Sequence, residues 1–417
     1  MKVLVIGGGP AGLTAAGTLA SNGLEVALVE RDYTLGGMAK ELTCKGITEC
    51  RDCGVCFAID RAAEAVRTPG IEVFLSSEIT SLEKTNEGFK AKIRSSARFV
   101  THNCIGCNNC VEVCPVEGKA IFAPSGSGQP RTYWIDRKRC LHFKKSKCEE
   151  CAKACPTKAI DFSDRAKNVT RTVSKVVLAT GIEPFDAQEL PRLACGTTSD
   201  VISSVDAERI INEEGRLKRP SDGVVPKTVA MIQCVGSRNE KTGIGYCSKF
   251  CCKYGTKIAQ LIMEGSPEMD LDFYFMDLRT LYEPQEDFKK WAVAMKRKVE
   301  KKKVPRVRLI RCMPSLAYPG EDGKIWLRSS GETDAEVMET PYDMVILSVG
   351  MRPRGVPEDI ASRLGLAFDD NGFARCQDEE GDPVVIVLGA MSEPMDIEET
   401  VTRAMAAAAT PRKEAGE

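Results

Sequence analysis

Sixteen of the 19 cysteines in this 417-residue chain fall into three groups whose spacing suits metal ligation. Cys104-x2-Cys107-x2-Cys110-x3-Cys114-Pro115 is the spacing that holds paired [4Fe–4S] clusters, with three thiolates on a turn and the fourth given to the neighbouring cluster. Cys140-x7-Cys148-x2-Cys151-x3-Cys155-Pro156 repeats it with a stretched first gap. The cross-over rule assigns Cys104, Cys107, Cys110 and Cys155 to one cluster, and Cys114, Cys140, Cys148 and Cys151 to the other. Zinc is the bland alternative, but this doubled motif is far more specific than paired C-x2-C.

A second group, Cys234, Cys247, Cys251 and Cys252, has a spacing that neither ordinary ferredoxins nor zinc fingers use, and a further iron–sulfur cluster is expected there. The last, Cys44-x5-Cys50-x2-Cys53-x2-Cys56, suits another [4Fe–4S] cluster, zinc, a ligand to a cluster shared with a partner, or redox-active or unused thiols. Three clusters are expected, rising to four if this group ligates one. Cys195, Cys312 and Cys376 stand alone and read as packing residues.

The elements around these thiols belong to a dinucleotide fold. Lys2–Ile6 is a short apolar strand entering G-x-G-x-x-G at Gly7, Gly9 and Gly12, with a helix expected over Leu13–Ser21 and a second strand over 24–30. Such a turn lets backbone amides at a helix N-terminus meet a pyrophosphate. Pro10 and Ala11 complete the turn, and Glu30, with Arg31 beside it, is placed for the adenosine ribose. Gly36, Gly37 and Met38, the Thr180–Gly181 end of an A-T-G strand, and Gly389, Ala390, Asp396 and Ile397 resemble later flavin contacts of two-dinucleotide-domain flavoproteins, which favours FAD over NAD. That fold usually has Gly-Asp where this chain has Gly389-Ala390.

A second βαβ unit is expected from the strand 227–233, the helix 254–264 and the strand 271–277, which ends in Asp277. Its turn reads Cys234-Val-Gly-Ser-Arg238 instead of a glycine fingerprint, so the phosphate donors are missing and a cluster is expected in place of NAD(P). The fold class is therefore α/β, a thioredoxin-reductase-like pair of Rossmann-type domains with an inserted two-cluster ferredoxin-like α+β module. The expected boundaries are 1–97, 165–221 and 351–417 for the FAD domain, 98–164 for the module and 222–350 for the cluster-bearing second domain.

Composition is ordinary for a globular protein, at 43% hydrophobic and 28% charged, and the net charge of −1 suggests no nucleic-acid partner. No apolar run reaches transmembrane length. The chain opens on a strand rather than a leader, and thiols in such number suit a reducing compartment, so a cytoplasmic location is expected, with membranes met only through partners. The basic run 296–303 reads as a solvated helix face, with docking to an acidic partner as the lesser reading.

The motif C-x-G-S-R followed by Y-C-S-x-x-C-C, in a flavin frame interrupted by a ferredoxin module, resembles the A subunit of heterodisulfide reductase and its relatives in quinone-interacting and sulfur-oxidising complexes. The resemblance implies that Cys234, Cys247, Cys251 and Cys252 hold a flavin-proximal cluster. It also implies that Lys257 stands near the flavin, against the plainer reading of a surface lysine. An FAD and iron–sulfur electron-transfer subunit follows, partnered by B- and C-type or related subunits, or by a second copy of itself. Bifurcation or confurcation is less directly implied. Two rivals stay open: an NAD(P)H oxidoreductase like the small subunit of glutamate synthase, and a scaffold that wires partners together without turnover.

Overall fold

The computed structural model describes residues 2–44, 50, 53–124, 126–146, 148–242, 244–266, 268–279, 283–299, 302–331, 336–376 and 384–409. Two parallel five-stranded sheets organise them. The first runs Val385–Val387, Lys175–Leu178, Lys2–Ile6, Glu25–Val29, Ile71–Phe74. Its strands are short apolar runs, with Val3, Leu4 and Val5 fully buried, as a sheet covered on both faces demands. Helices Pro10–Ser21 and Ile397–Ala409 cover one face. An antiparallel sheet, Ser77–Thr85, Gly88–Ser95 and Lys167–Val173, covers the other through Leu82, Phe89 and Ile93.

The cysteine-rich module is inserted into that antiparallel sheet. Ser95 and Lys167, the last and first strand residues around it, are paired across the ladder. Both ends of the insertion thus emerge from one point. The module has its own small core of Phe99, Ile121, Tyr133 and Ile135 with Cys110, Cys114, Cys140 and Cys151. A third attachment was not legible in the sequence: Trp134 stacks flat on Tyr33 of the first unit at 4.0 Å, and the amide of Leu35 donates to the Gln129 carbonyl at 2.6 Å. His142 is a packing residue, its ring 3.7 Å from that of Phe162.

The second sheet runs Val201–Ser203, Met344–Val349, Thr228–Val235, Asp270–Tyr274, Val307–Ile310, all parallel. The chain crosses between the units on two paired strands, Ile182–Pro184 and Met351–Pro353. This corrects the expected boundary at 221. Val201–Ser203 pairs with Met344–Val349, so it belongs to the second unit. A three-residue strand is too short to show a period, and its partner lies far along the chain. The basic run departs too, forming strands Lys296–Val299 and Lys302–Pro305 rather than a helix. Among the described residues no helix is long and apolar enough to cross a membrane.

Candidate functional site

A cavity of about 650 Å³ opens on the first unit, within the range of about 300–1,000 Å³ usual for small-molecule sites. Gly7, Gly9, Pro10, Ala11, Glu30, Arg31, Gly37, Met38, Thr180, Gly181, Gly389, Ala390, Asp396 and Ile397 all line it. The helix after the fingerprint starts at Pro10, three residues earlier than expected, because proline is pre-set for a first turn. The fingerprint glycines divide by role. A Cβ on Gly7, at φ +108°, would lie 2.2 Å from the Ala179 carbonyl oxygen, and one on Gly12 would lie 1.9 Å from that of Gly7. These two close the turn by backbone contact. Gly9 has only the Gly37 Cα, at 3.7 Å, before it, and so leaves the cavity floor open. Gly12 and Gly36 stand behind the wall; the Gly36 amide donates to the Gly8 carbonyl at 2.8 Å. Glu30 is buried and accepts from the Gly8 amide at 2.6 Å and the Asp32 amide at 2.9 Å, tying the turn to the strand end.

The second unit meets this cavity through Val205 and through the helix Cys251–Glu264, which starts three residues before the expected Tyr254. Phe250, Lys253, Tyr254 and Lys257 line the cavity, while Cys251 and Cys252 sit buried in the helix's first turn. Cys234, next to last in the neighbouring strand Thr228–Val235, has a left-handed conformation, φ +58°. The thiols of Cys234, Cys247, Cys251 and Cys252 are near enough to repel one another as anions. Burial pushes Cys234 up to about 11 and Cys251 higher still, with the neighbouring cysteines adding to both. Thiols so placed could ionise together only with a cationic group among them. Amides also aim at this site: Arg279 N–H donates to Cys252 Sγ and Lys249 N–H to Cys247 Sγ, each at 3.4 Å. Asp277, the acid that would hold a nucleotide ribose, is paired with Arg238 and with Arg279 at 3.3 Å.

Two lysines escaped the sequence reading. Lys253 Nζ pairs with Asp396 at 3.3 Å and Glu398 at 2.8 Å, and Lys249 with Glu399 at 3.4 Å. They strap the cysteine-bearing segment to the start of the last helix. The four-residue spacing of Lys249, Lys253 and Lys257 was the available signal, but nothing local names the acids.

In the module, Cys104, Cys107, Cys110 and Cys155 line one small cavity. The four come together as the cross-over pattern requires. Cys114, Cys140, Cys148 and Cys151 form the second group, coupled by mutual repulsion. Burial, with the Cys104 thiol next, pushes Cys110 up to about 11; burial, with Cys140 next, pushes Cys151 up to about 12. Among the described residues no three His, Cys, Asp or Glu side chains are set to hold a single ion, as tetrahedral zinc would require. An all-thiol set of four fits a four-iron cluster.

The remaining group is only partly visible, since residues 45–49, 51 and 52 lie outside the described residues. Cys44, Cys50 and Cys53 each act on the Cys56 thiol, whose pKa is raised by burial first and by these neighbours after. Cys53 lines the flavin-sized cavity. Thr43, next to Cys44, donates its amide to the buried Glu208 at 2.6 Å, and Tyr254 of the cysteine-bearing helix donates to the same carboxylate at 2.6 Å. The expected result for Cys53→Ala is a loss of about four iron atoms per chain if this group holds a cluster, read by iron analysis of anaerobic protein; unchanged iron assigns these thiols another role.

Fold and site together define a two-dinucleotide-domain flavoprotein with a two-cluster insertion. Residues 2–52 match the family model for FAD dependent oxidoreductases, and residues 103–159 match the 4Fe-4S dicluster domain. FAD and at least two [4Fe–4S] clusters are the cofactors of this frame. Thioredoxin reductase of Lactococcus lactis superposes with a TM-score of 0.51 at 15% identity, covering 98% of this chain and 96% of that one. The thioredoxin reductase of T. acidophilum gives 0.50 at 13%, over 97% and 95%. Among curated relatives, the A subunit of the H(2):CoB-CoM heterodisulfide,ferredoxin reductase of Methanothermobacter marburgensis is 32% identical over 98% of this chain and 63% of its own length. An iron-sulfur A subunit of the CoB–CoM heterodisulfide reductase of Methanopyrus kandleri is 33% identical over the same shares. The chain belongs to the family of heterodisulfide reductase A subunits. It spans 63% of the length of these two relatives.

Proposed function

We propose that the chain is the FAD- and iron–sulfur-containing electron-transfer subunit of a heterodisulfide-reductase-like complex, with a third [4Fe–4S] cluster held by Cys234, Cys247, Cys251 and Cys252. The observation that carries this reading is the helix Cys251–Glu264, which presents two thiols at its start and Lys253, Tyr254 and Lys257 to the flavin-sized cavity. When bound, FAD exchanges electrons in pairs and the clusters singly, so the protein's part is spacing, burial and charge. Lys253 and Lys249 hold the cysteine-bearing segment against the last helix, fixing the two sites relative to each other. The loop Gly126–Gln129 presses the module onto the segment that carries Gly36, Gly37 and Met38: the Ser127 amide donates to the Lys40 carbonyl at 2.9 Å. Partner subunits of B and C type, a cytoplasmic setting, and bifurcation or confurcation belong to the same proposal.

Lys257 places a cation at the cavity wall, which favours negative charge on a bound flavin. Lys257→Ala is expected to keep every cofactor and lower the flavin potential on the order of 30 mV, the equivalent of about 1.4 kcal/mol for a two-electron couple, read by spectroelectrochemistry. An unchanged potential returns Lys257 to the surface-lysine reading.

The functional test is anaerobic reduction. A strong chemical reductant should bleach flavin and iron–sulfur absorbance together, whereas NADH and NADPH should leave both oxidised, because Cys234 to Arg238 supplies no phosphate turn and Asp277 is already paired. Rapid bleaching by either nucleotide would favour the glutamate-synthase-like reading. Flavin that never cycles during turnover of the intact complex would favour the scaffold.

A further inference from the structure

Arg354 follows the strand Met351–Pro353 that returns the chain from the second unit, and its amide donates to the Gly181 carbonyl at 3.0 Å. That bond fixes it beside the Thr180–Gly181 turn, and its side chain lines the flavin-sized cavity together with Arg31. Its Nε is buried without a hydrogen-bond partner. Two of the carboxylates that act on it are engaged elsewhere. Asp32 is held by Lys40 Nζ at 2.8 Å, and Glu30 by the amides of Gly8 and Asp32. Burial holds the Arg354 guanidinium below its ordinary range, and Arg31 adds like-charge repulsion that Asp32, Glu183 and Glu30 do not offset. A buried donor with no acceptor, beside a second cation and lining the same cavity as the glycine fingerprint turn, calls for an anionic ligand.

We propose that Arg354, with Arg31 beside it, binds the pyrophosphate of the dinucleotide in this cavity. The inference rests on the reading of the cavity as the FAD site. Guanidinium forks suit phosphate oxygens because two parallel donors meet two acceptors, and the contact strengthens where water is excluded. The residue also stands at the crossing between the units, so the cofactor's phosphates would be gripped from the first turn of one unit and from the chain returning from the other.

The test is flavin binding by the full chain after flavin removal, titrated with FAD and, separately, with riboflavin, which carries the ring but no phosphate. Arg354→Gln is expected to weaken FAD roughly 10–100-fold, to flatten the dependence of FAD affinity on ionic strength, and to leave riboflavin binding unchanged. Arg354→Lys, which keeps the charge and loses the fork, should fall between the two and carries the same comparison if the glutamine variant does not fold. Equal losses for FAD and riboflavin would mean a packing defect and overturn the proposal. So would an affinity loss with the salt dependence intact, which would indicate contact with the adenine ring. Wild-type protein that takes up FAD beside an indistinguishable variant overturns this proposal alone. Wild-type protein that takes up no FAD overturns the cavity reading and this proposal with it.

Discussion

Gly9→Asp is expected to give a folded, flavin-free protein. Gly9 is the fingerprint glycine whose Cβ position is open, with only Gly37 Cα at 3.7 Å, so the fold accommodates a side chain there. The bound pyrophosphate would not, because a carboxylate on the cavity floor repels it where helix amides should meet it. The measurement is flavin absorbance per chain in purified protein, with circular dichroism to confirm the fold. One FAD retained per chain contradicts the assignment. Gly12→Ala provides the contrast: its methyl would fall 1.9 Å from the Gly7 carbonyl oxygen, a backbone clash expected to cost about 3 kcal/mol or more of stability. The two substitutions therefore separate making the turn from using it.

Cys251→Ala is expected to remove about four iron atoms per chain while leaving FAD and the module's clusters in place. Cys251 is 5% exposed and lies in the first turn of the helix that also reaches the cavity. The three remaining thiols are then one short of a cluster's four ligands. The flavin contacts from Gly7 to Met38 are on another sheet, and the module has its own core, so neither should respond. Iron, flavin and electron paramagnetic resonance signals on one anaerobic preparation read all three effects. Loss of FAD together with the iron would mean that the helix start is structural for the cavity rather than a cluster ligand.

Much of this site was legible because its signals are local. The doubled cysteine motif, the strand-turn-helix around Gly7 to Gly12, and the replacement of a glycine turn by Cys234 to Arg238 each lie within a few residues. Distant partnerships were not legible. Trp134 on Tyr33, Lys253 with Asp396 and Glu398, and the Arg354 amide on the Gly181 carbonyl join segments far apart in the chain. The same reason moved Val201–Ser203 into the second sheet: parallel pairing is set by a strand well over a hundred residues on, and three residues carry no periodicity. The basic run 296–303 failed differently. Its charges fit a helix face equally well, but Lys298 and Lys303 pair in an antiparallel register that charge pattern alone does not show.

The most direct test of a cluster in the second unit is the metal and flavin content of the anaerobically purified chain. The predicted result is one FAD with about twelve iron atoms, or about sixteen if Cys44, Cys50, Cys53 and Cys56 also hold a cluster, at four irons each. One FAD with about eight iron atoms would confine the clusters to the inserted module and contradict the proposal that Cys234, Cys247, Cys251 and Cys252 replace a nucleotide with iron.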